Sequence, residues 1–193
     1  MKRVGPSRSS RPRGSIGTQI PCAGTGQDGA IQAGAPLSYT DNGDRTITDN
    51  NTRLVWEKKS DDGTIHDKDA TFSWPDAFTV FIATLNTAPC FAGHCDWRLP
   101  NVKELQSIVN YDNISPAVSS AFNNSCVSGC TVLTCSCTTS SPTVGYYRSS
   151  TSFIGDDANV AYAVSFHIGI VAGNTKTASG FAGNLVRAVR GGL

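Results

Sequence analysis

DWRLPNVKELQSIVNY, residues 96–111, carries the sharpest local signal in the chain. Trp97, Arg98 and Leu99 read as extended backbone, because Pro100 biases the residue before it away from α geometry. Asn101 stands where a helix N-cap belongs, and Glu104, three residues on, completes a reciprocal capping box. Leu105, Ile108 and Val109 then give the helix one apolar face. The stretch predicts an extended segment that turns abruptly into a helix, with Arg98 and Glu104 making structural hydrogen bonds at the junction and Lys103 solvated.

Working outward, YTDNGDRTITDNNTRLVWEKK (39–59) reads as a β-meander. Asp41-Asn42-Gly43-Asp44 and Asp49-Asn50-Asn51 supply the turns, and Thr46-Ile47-Thr48 and Leu54-Val55-Trp56 the strands. SWPDAFTVFIATLN (73–86) predicts a second helix, with Pro75 in its first turn and Phe78, Phe81, Ile82 and Leu85 along one face. YYRSST, AYAVSF and NLVRAVR read as three late strands. Strands at both ends around two helices predict an α+β domain with one mixed or antiparallel sheet.

The 193 residues suit one domain plus a tail, and 39% apolar content suffices for a single core. The net charge of +1 names no partner, but its distribution is uneven. Residues 1–27 hold five basic and no acidic side chains, and this Ser/Pro/Arg run reads as a solvated, disordered basic tail over 1–21 rather than a nucleic-acid site. No stretch of 18 apolar residues predicts a membrane span, and the charged start lacks the apolar core of a secretory signal.

Six of the seven cysteines fall in two tight groups, APCFAGHC and CVSGCTVLTCSC. That clustering reads as short-loop disulfides in an oxidising compartment. Cys90 is expected to pair with Cys95, and Cys126, Cys130, Cys135 and Cys137 to form two bridges, leaving Cys22 over. The C-x3-C-x4-C-x-C spacing of the second group is not that of paired zinc knuckles. An extracellular or cell-envelope location is expected, with export by another route or from a start further upstream.

DNGDRTITDNNTRLVWEKK, WPDAF, WRLPNVKELQSIV, YYRSST and the terminal VRAVRGG resemble, in order and spacing, the Lcl C-terminal domain family, named for the C-terminal domain of bacterial collagen-like adhesins. The resemblance spans roughly residues 22–193. It implies a fold similar to C-type lectin-like and formylglycine-generating-enzyme domains, with N- and C-terminal strands paired, so that LVRAVR closes the sheet beside the early YTDN–TITD region. It also implies an extracellular binding or adhesion role without established catalysis. The family usually carries Gly where this chain has Arg45 and Arg53, Met where it has Val55, and Tyr-Trp-Ser-Ser where it has Tyr147-Arg148-Ser149-Ser150. Replacing that Trp removes a large apolar plate.

The candidate chemistries thin out quickly. Asp41, Asp44 and Asp49, or Asp61, Asp62, Asp67 and Asp69, offer hard oxygen ligands, but neither run has EF-hand spacing, and both suit self-capping turns better. No metal or cofactor is expected. His66, His94 and His167 are scattered, no nucleophile pattern accompanies them, and no enzyme activity is expected. A diverged enzyme of the formylglycine-generating type stands as the remote alternative.

The segment 143–185 differs from the rest. It contains no Glu, Gln, Met, Trp or Pro and only one Lys, Lys176. What remains is the set that codons with two variable bases and a pyrimidine third base encode. This is the residue mixture expected of an Asn-rich stretch diversified at adenines, as in the variable proteins of diversity-generating retroelements; Arg148 in place of Trp does not fit that route. Tyr147, Arg148, His167, Ile168, Ile170, Val171, Asn174, Phe181 and Asn184 are expected to form a ligand face, because exposed apolar residues on loops mark contact surfaces. The expected partner is a surface protein or a glycan. The alternative is a structural or assembly head domain, a homo-oligomer built through the same loops.

Overall fold

The structure, a computed structural model, describes residues 23–26, 31, 34–143, 145–177 and 184–192. The expected disordered tail (1–21), Cys22 and Phe181 lie outside the described residues. The chain divides into Met1–Ala35 and a larger unit, Pro36–Leu193. In the first, the described residues are all exposed. The packed unit begins at Pro36.

That unit is α+β, with two sheets where one was expected. The meander forms as read: β1 (Tyr39–Asp41), β2 (Thr46–Asp49) and β3 (Leu54–Glu57) pair antiparallel. The chain's last strand, β9 (Val189–Gly191), joins β3 antiparallel to complete a four-stranded sheet. The terminal strand therefore lies beside Leu54–Glu57 rather than beside β1 or β2. The second sheet is mixed, in the order β4 (Thr71–Phe72), β8 (Asn184–Leu185), β5 (Tyr146–Ser152), β6 (Val160–Ser165), β7 (Ile170–Thr175). Among the described strands of this sheet, only β5 and β8 run parallel.

NLVRAVR is thus two short strands in two sheets. Leu185 and Val189 pack in a core with Trp56, Leu105, Ile108, Phe122 and Tyr147. Val186 and Ala188 pack in another with Phe81, Leu85, Phe91, Trp97 and Leu99. The period of two is present, but both faces are buried, and Arg187, the polar residue between the two strands, is buried with them, so no exposed residue betrays where one sheet ends and the next begins.

Turn chemistry follows the residue types. Asp41 Oδ1 accepts from Gly43 N, Asp44 Oδ1 from Thr46 N, and Asp49 Oδ1 from Asn51 N. At the two positions where the resemblance implied Gly, the backbone is left-handed: Arg45 has φ 83° and Arg53 φ 63°. An L-residue there meets its own carbonyl through Cβ, at a cost of roughly 1–2 kcal/mol.

The helix α1 starts as α over Trp74–Asp76, widens to π geometry over Ala77–Ile82 and returns to α over Ala83–Leu85. Ser73 caps it by accepting from Asp76 N. The wider turn brings Ala77 onto the buried face with Phe81, Ile82 and Leu85, while Phe78 is only partly buried and packs on Trp74.

The 96–111 stretch ties the two sheets together. Asn86 clamps Trp97 through its side chain, receiving Trp97 N and donating to Trp97 O. Arg98 exchanges backbone hydrogen bonds with Val189, extending the first sheet past β9. Arg98 also forks onto Glu104 at 2.8 and 2.6 Å and donates to Gly191 O. The capping box at Asn101 and Glu104 starts α2 (Val102–Ser107), which buries Leu105. Pro100 O accepts from Ser150 N, and Thr151 Oγ1 from Val102 N, which fastens the helix start to β5 of the second sheet.

Three disulfides form as expected: Cys90–Cys95, Cys126–Cys137 and Cys130–Cys135. No helix among the described residues is long and apolar enough to cross a membrane.

Candidate contact surface

The expected ligand residues separate into interior and surface. Tyr147 is fully buried, stacks obliquely on Phe166 and accepts from Thr139 N. Arg148 is buried as well: its Nε donates to Phe72 O and its Nη1 to Thr175 O. Burial lowers its guanidinium to about 10. Arg148 spans from the end of β4 to the end of β7, so its stem fills the space and its head satisfies two strand-end carbonyls. Asn184 is buried in β8 and accepts from Asn174 Nδ2. Tyr147, Arg148 and Asn184 are therefore corrected to interior positions, because their side chains leave nothing for a partner to touch.

The exposed members gather at the β6–β7 hairpin. Ile168, Ile170 and Val171 are 45%, 43% and 37% exposed, and His167 and Asn174 are half-buried. The segment 170–175, expected to be a loop, is a strand paired residue for residue with β6. It lies at the edge of the sheet, where Ile170 and Val171 are both exposed and burial alternates only from Val171 onward.

Two exposed apolar residues outside the predicted face lie beside this hairpin. Tyr111 and Ile114, each 72% exposed, sit on the loop that follows α2. Tyr111 Oη donates to Gly169 O at 3.1 Å, and Ser115 N to His167 O at 2.8 Å, so the loop is bound to the hairpin turn. Gly169 has φ 79°, and a Cβ there would come within 2.7 Å of both the Tyr111 ring and Val109. Glycine is needed for both reasons. Phe166 anchors the turn from beneath: it is fully buried, and its carbonyl accepts from Ala117 N. The surface is hydrocarbon on a fixed scaffold, and the backbone partners of Tyr111 were not readable from sequence periodicity.

The polar clusters have structural duties. Glu57, fully buried, accepts from Ala188 N at 2.9 Å, meets His66 Nδ1 at 2.7 Å and Lys59 Nζ at 3.4 Å. Burial drives its carboxyl upward, but Lys59, His66 and the Ala188 N–H outweigh it, and the net direction is down. Arg187, also fully buried, donates to Glu57 O, Cys137 O and Thr138 Oγ1. Asp61, Asp67 and Asp69 converge closely enough to face one cation. Lys68 occupies Asp61 and Asp69, while Asp67 accepts from Gly63 N and Asp69 N. Cys126, Cys130 and Cys137 also converge, but as disulfide sulfurs they carry no thiolate for zinc.

The Lcl C-terminal domain model matches residues 45–190. The chain belongs to that family. Comparison with curated proteins and with solved structures found no match. The Lcl match takes in β2 through Arg190 and so includes the hairpin, Tyr111 and all three disulfides.

Proposed function

We propose that this Lcl C-terminal domain is a non-catalytic, C-type lectin-like binding module, secreted or held at the cell envelope, that contacts another surface through its β6–β7 hairpin. The observation that carries the reading is the apolar patch of Tyr111, Ile168 and Ile170, exposed yet held in place by the Tyr111–Gly169 hydrogen bond. A monomeric soluble domain gains nothing from fixing hydrocarbon outward, whereas an interface does. The flat, apolar chemistry favours a surface protein over a glycan. Three disulfides fit an oxidising compartment. Diversification of 143–185 fits the same geometry, since Ile168, Ile170, Val171 and Asn174 all lie in the biased segment and have accessible side chains.

The test is to display the domain on beads and measure capture on arrays of surface proteins and of glycans, with Ile168→Asp/Ile170→Asp alongside. Binding to a protein that the double variant loses supports the reading. No capture of a protein, or protein capture that survives the double variant, overturns it. A near-copy of the 3′ coding end, differing at adenines beside a reverse transcriptase, marks the diversified form. The edge position of β7 favours a second reading, an assembly head in which β7 pairs with β7 of another copy. Light scattering separates the two: the binder is a monomer and the head a dimer or larger.

A further inference from the structure

A second site lies where the disulfide-rich loop meets the meander. A cavity of about 330 Å³ opens between β1, the residue after β3 and the Cys126–Cys137 loop, and none of the hairpin's residues line it. The volume is at the lower end of small-molecule pockets. Lys58 stands in its wall with a side chain only 6% exposed, and among the described residues its ammonium donates to one group, Asp41 Oδ2 at 2.8 Å. An ammonium carries three donors. A buried cation with unused N–H groups leaves a desolvation cost that a ligand oxygen offsets. Ser136 is in the same wall, and its buried Oγ has no hydrogen-bond partner among the described residues. Asn124, exposed in the same lining, exchanges backbone hydrogen bonds with Ser136, and its side-chain oxygen accepts from Ser125 Oγ at 3.2 Å, which leaves its amide N–H groups and one lone pair for a ligand. Leu133, 56% exposed, and the ring of Tyr39 add apolar surface, with the Tyr39 hydroxyl turned away to Ser107 O.

The geometry points to a pocket for a neutral sugar ring, a terminal monosaccharide bound without metal. The donor and acceptor sets decide the class. Lys58 and Asn124 donate, Asp41 and Asn124 accept, and a vicinal diol uses both kinds at once while its C–H face lies on Leu133 or Tyr39. A free anion meets the Asp41 carboxylate beside the ammonium and is disfavoured. Two disulfides and the Asn124–Ser136 bridge keep the wall in place without a ligand, which limits the ordering cost of binding.

Titrating the intact, oxidised protein with D-mannose, D-galactose and N-acetyl-D-glucosamine, followed by amide NMR, tests this. Saturable millimolar shifts of the Asn124 and Ser136 amides with at least one sugar are expected. Lys58→Met keeps the stem and should weaken binding about tenfold, as loss of a charged hydrogen bond does. Asn124→Ala, at an exposed position, should weaken it less and carries the test if Lys58→Met fails to melt cooperatively. Ile168→Asp/Ile170→Asp should leave the sugar shifts unchanged, so this site stands or falls apart from the hairpin. The proposal is overturned if none of the sugars gives saturable shifts, if the shifts map elsewhere, if the variants bind as the wild type does, or if inorganic phosphate shifts these amides and the sugars do not.

Discussion

Around Arg187 the chain buries charge, and around Ile170 it exposes hydrocarbon. Glu57, Lys59 and Arg187 are each fully buried, whereas Ile168, Ile170, Tyr111 and Ile114 face outward. Both arrangements run against the usual partition, and they do so for different reasons. The buried charges join positions far apart in the chain: Arg187 holds the carbonyls of Glu57 and Cys137, and Glu57 receives the Ala188 amide. They span the crossover where the terminal segment passes from one sheet to the other, and there each backbone group needs a partner that no regular ladder supplies. The exposed residues contribute nothing comparable to the interior. A departure inside the core is explained by what it fastens, and a departure at the surface asks for a partner.

The comparison is most easily broken at Glu57. Replacing it with Gln leaves the buried Lys59 without its carboxylate and should cost about 3–5 kcal/mol, the loss typical of removing one member of a buried pair. Denaturant titration checks this, and a neutral result would mean that the interior charges fasten nothing. The same residue sets an acid dependence. Its folded pKa lies below the ordinary value of 4.5, so the ionised form is the stabilising one. The stabilisation is complete above pH 4.5 and is lost as pH falls through the lower folded value. Melting curves of the wild type should therefore fall more steeply in acid than those of Glu57→Gln.

Smaller effects sharpen the surface side. Gly169→Ala should destabilise by about 1–2 kcal/mol through its left-handed backbone alone. The added Cβ should also displace Tyr111 from the turn, visible as a change in Tyr111 ring shifts. Arg45→Gly and Arg53→Gly act in the opposite direction. Relief of the left-handed strain exceeds the entropy cost of glycine, for a gain of about 0.5–1 kcal/mol each in thermal unfolding. Smallest of all, Ile168→Ser and Ile170→Ser should move stability by no more than about 0.5 kcal/mol while abolishing capture of a partner. A large loss of stability would instead assign these isoleucines to the fold.

Much of the fold is legible in short stretches. The capping box at Asn101, the Asx turns at Asp41, Asp44 and Asp49, and the three local disulfides all depend on groups within a dozen residues of one another. The contact surface was half legible. Composition marked 143–185, but within that segment only burial separates Ile168, Ile170 and Val171 from Tyr147, Arg148 and Asn184. The pattern of YYRSST is the same whether its arginine faces water or the end of β7.

The sequence by itself determined the α+β class, the Lcl resemblance, the capped helix after WRLP and the pairing of the cysteines into short loops. Each rests on contacts between near neighbours, where spacing dictates geometry. Tertiary structure decided that there are two sheets, that NLVRAVR is divided between them, that Arg148 lies inside and that Tyr111 joins the hairpin. These outcomes depend on partners 27 to 130 residues away, such as Thr175 for Arg148, Gly169 for Tyr111 and Glu57 for Arg187. A strand buried on both faces and an edge strand of small residues carry no contrast of apolar and polar positions that would announce either one.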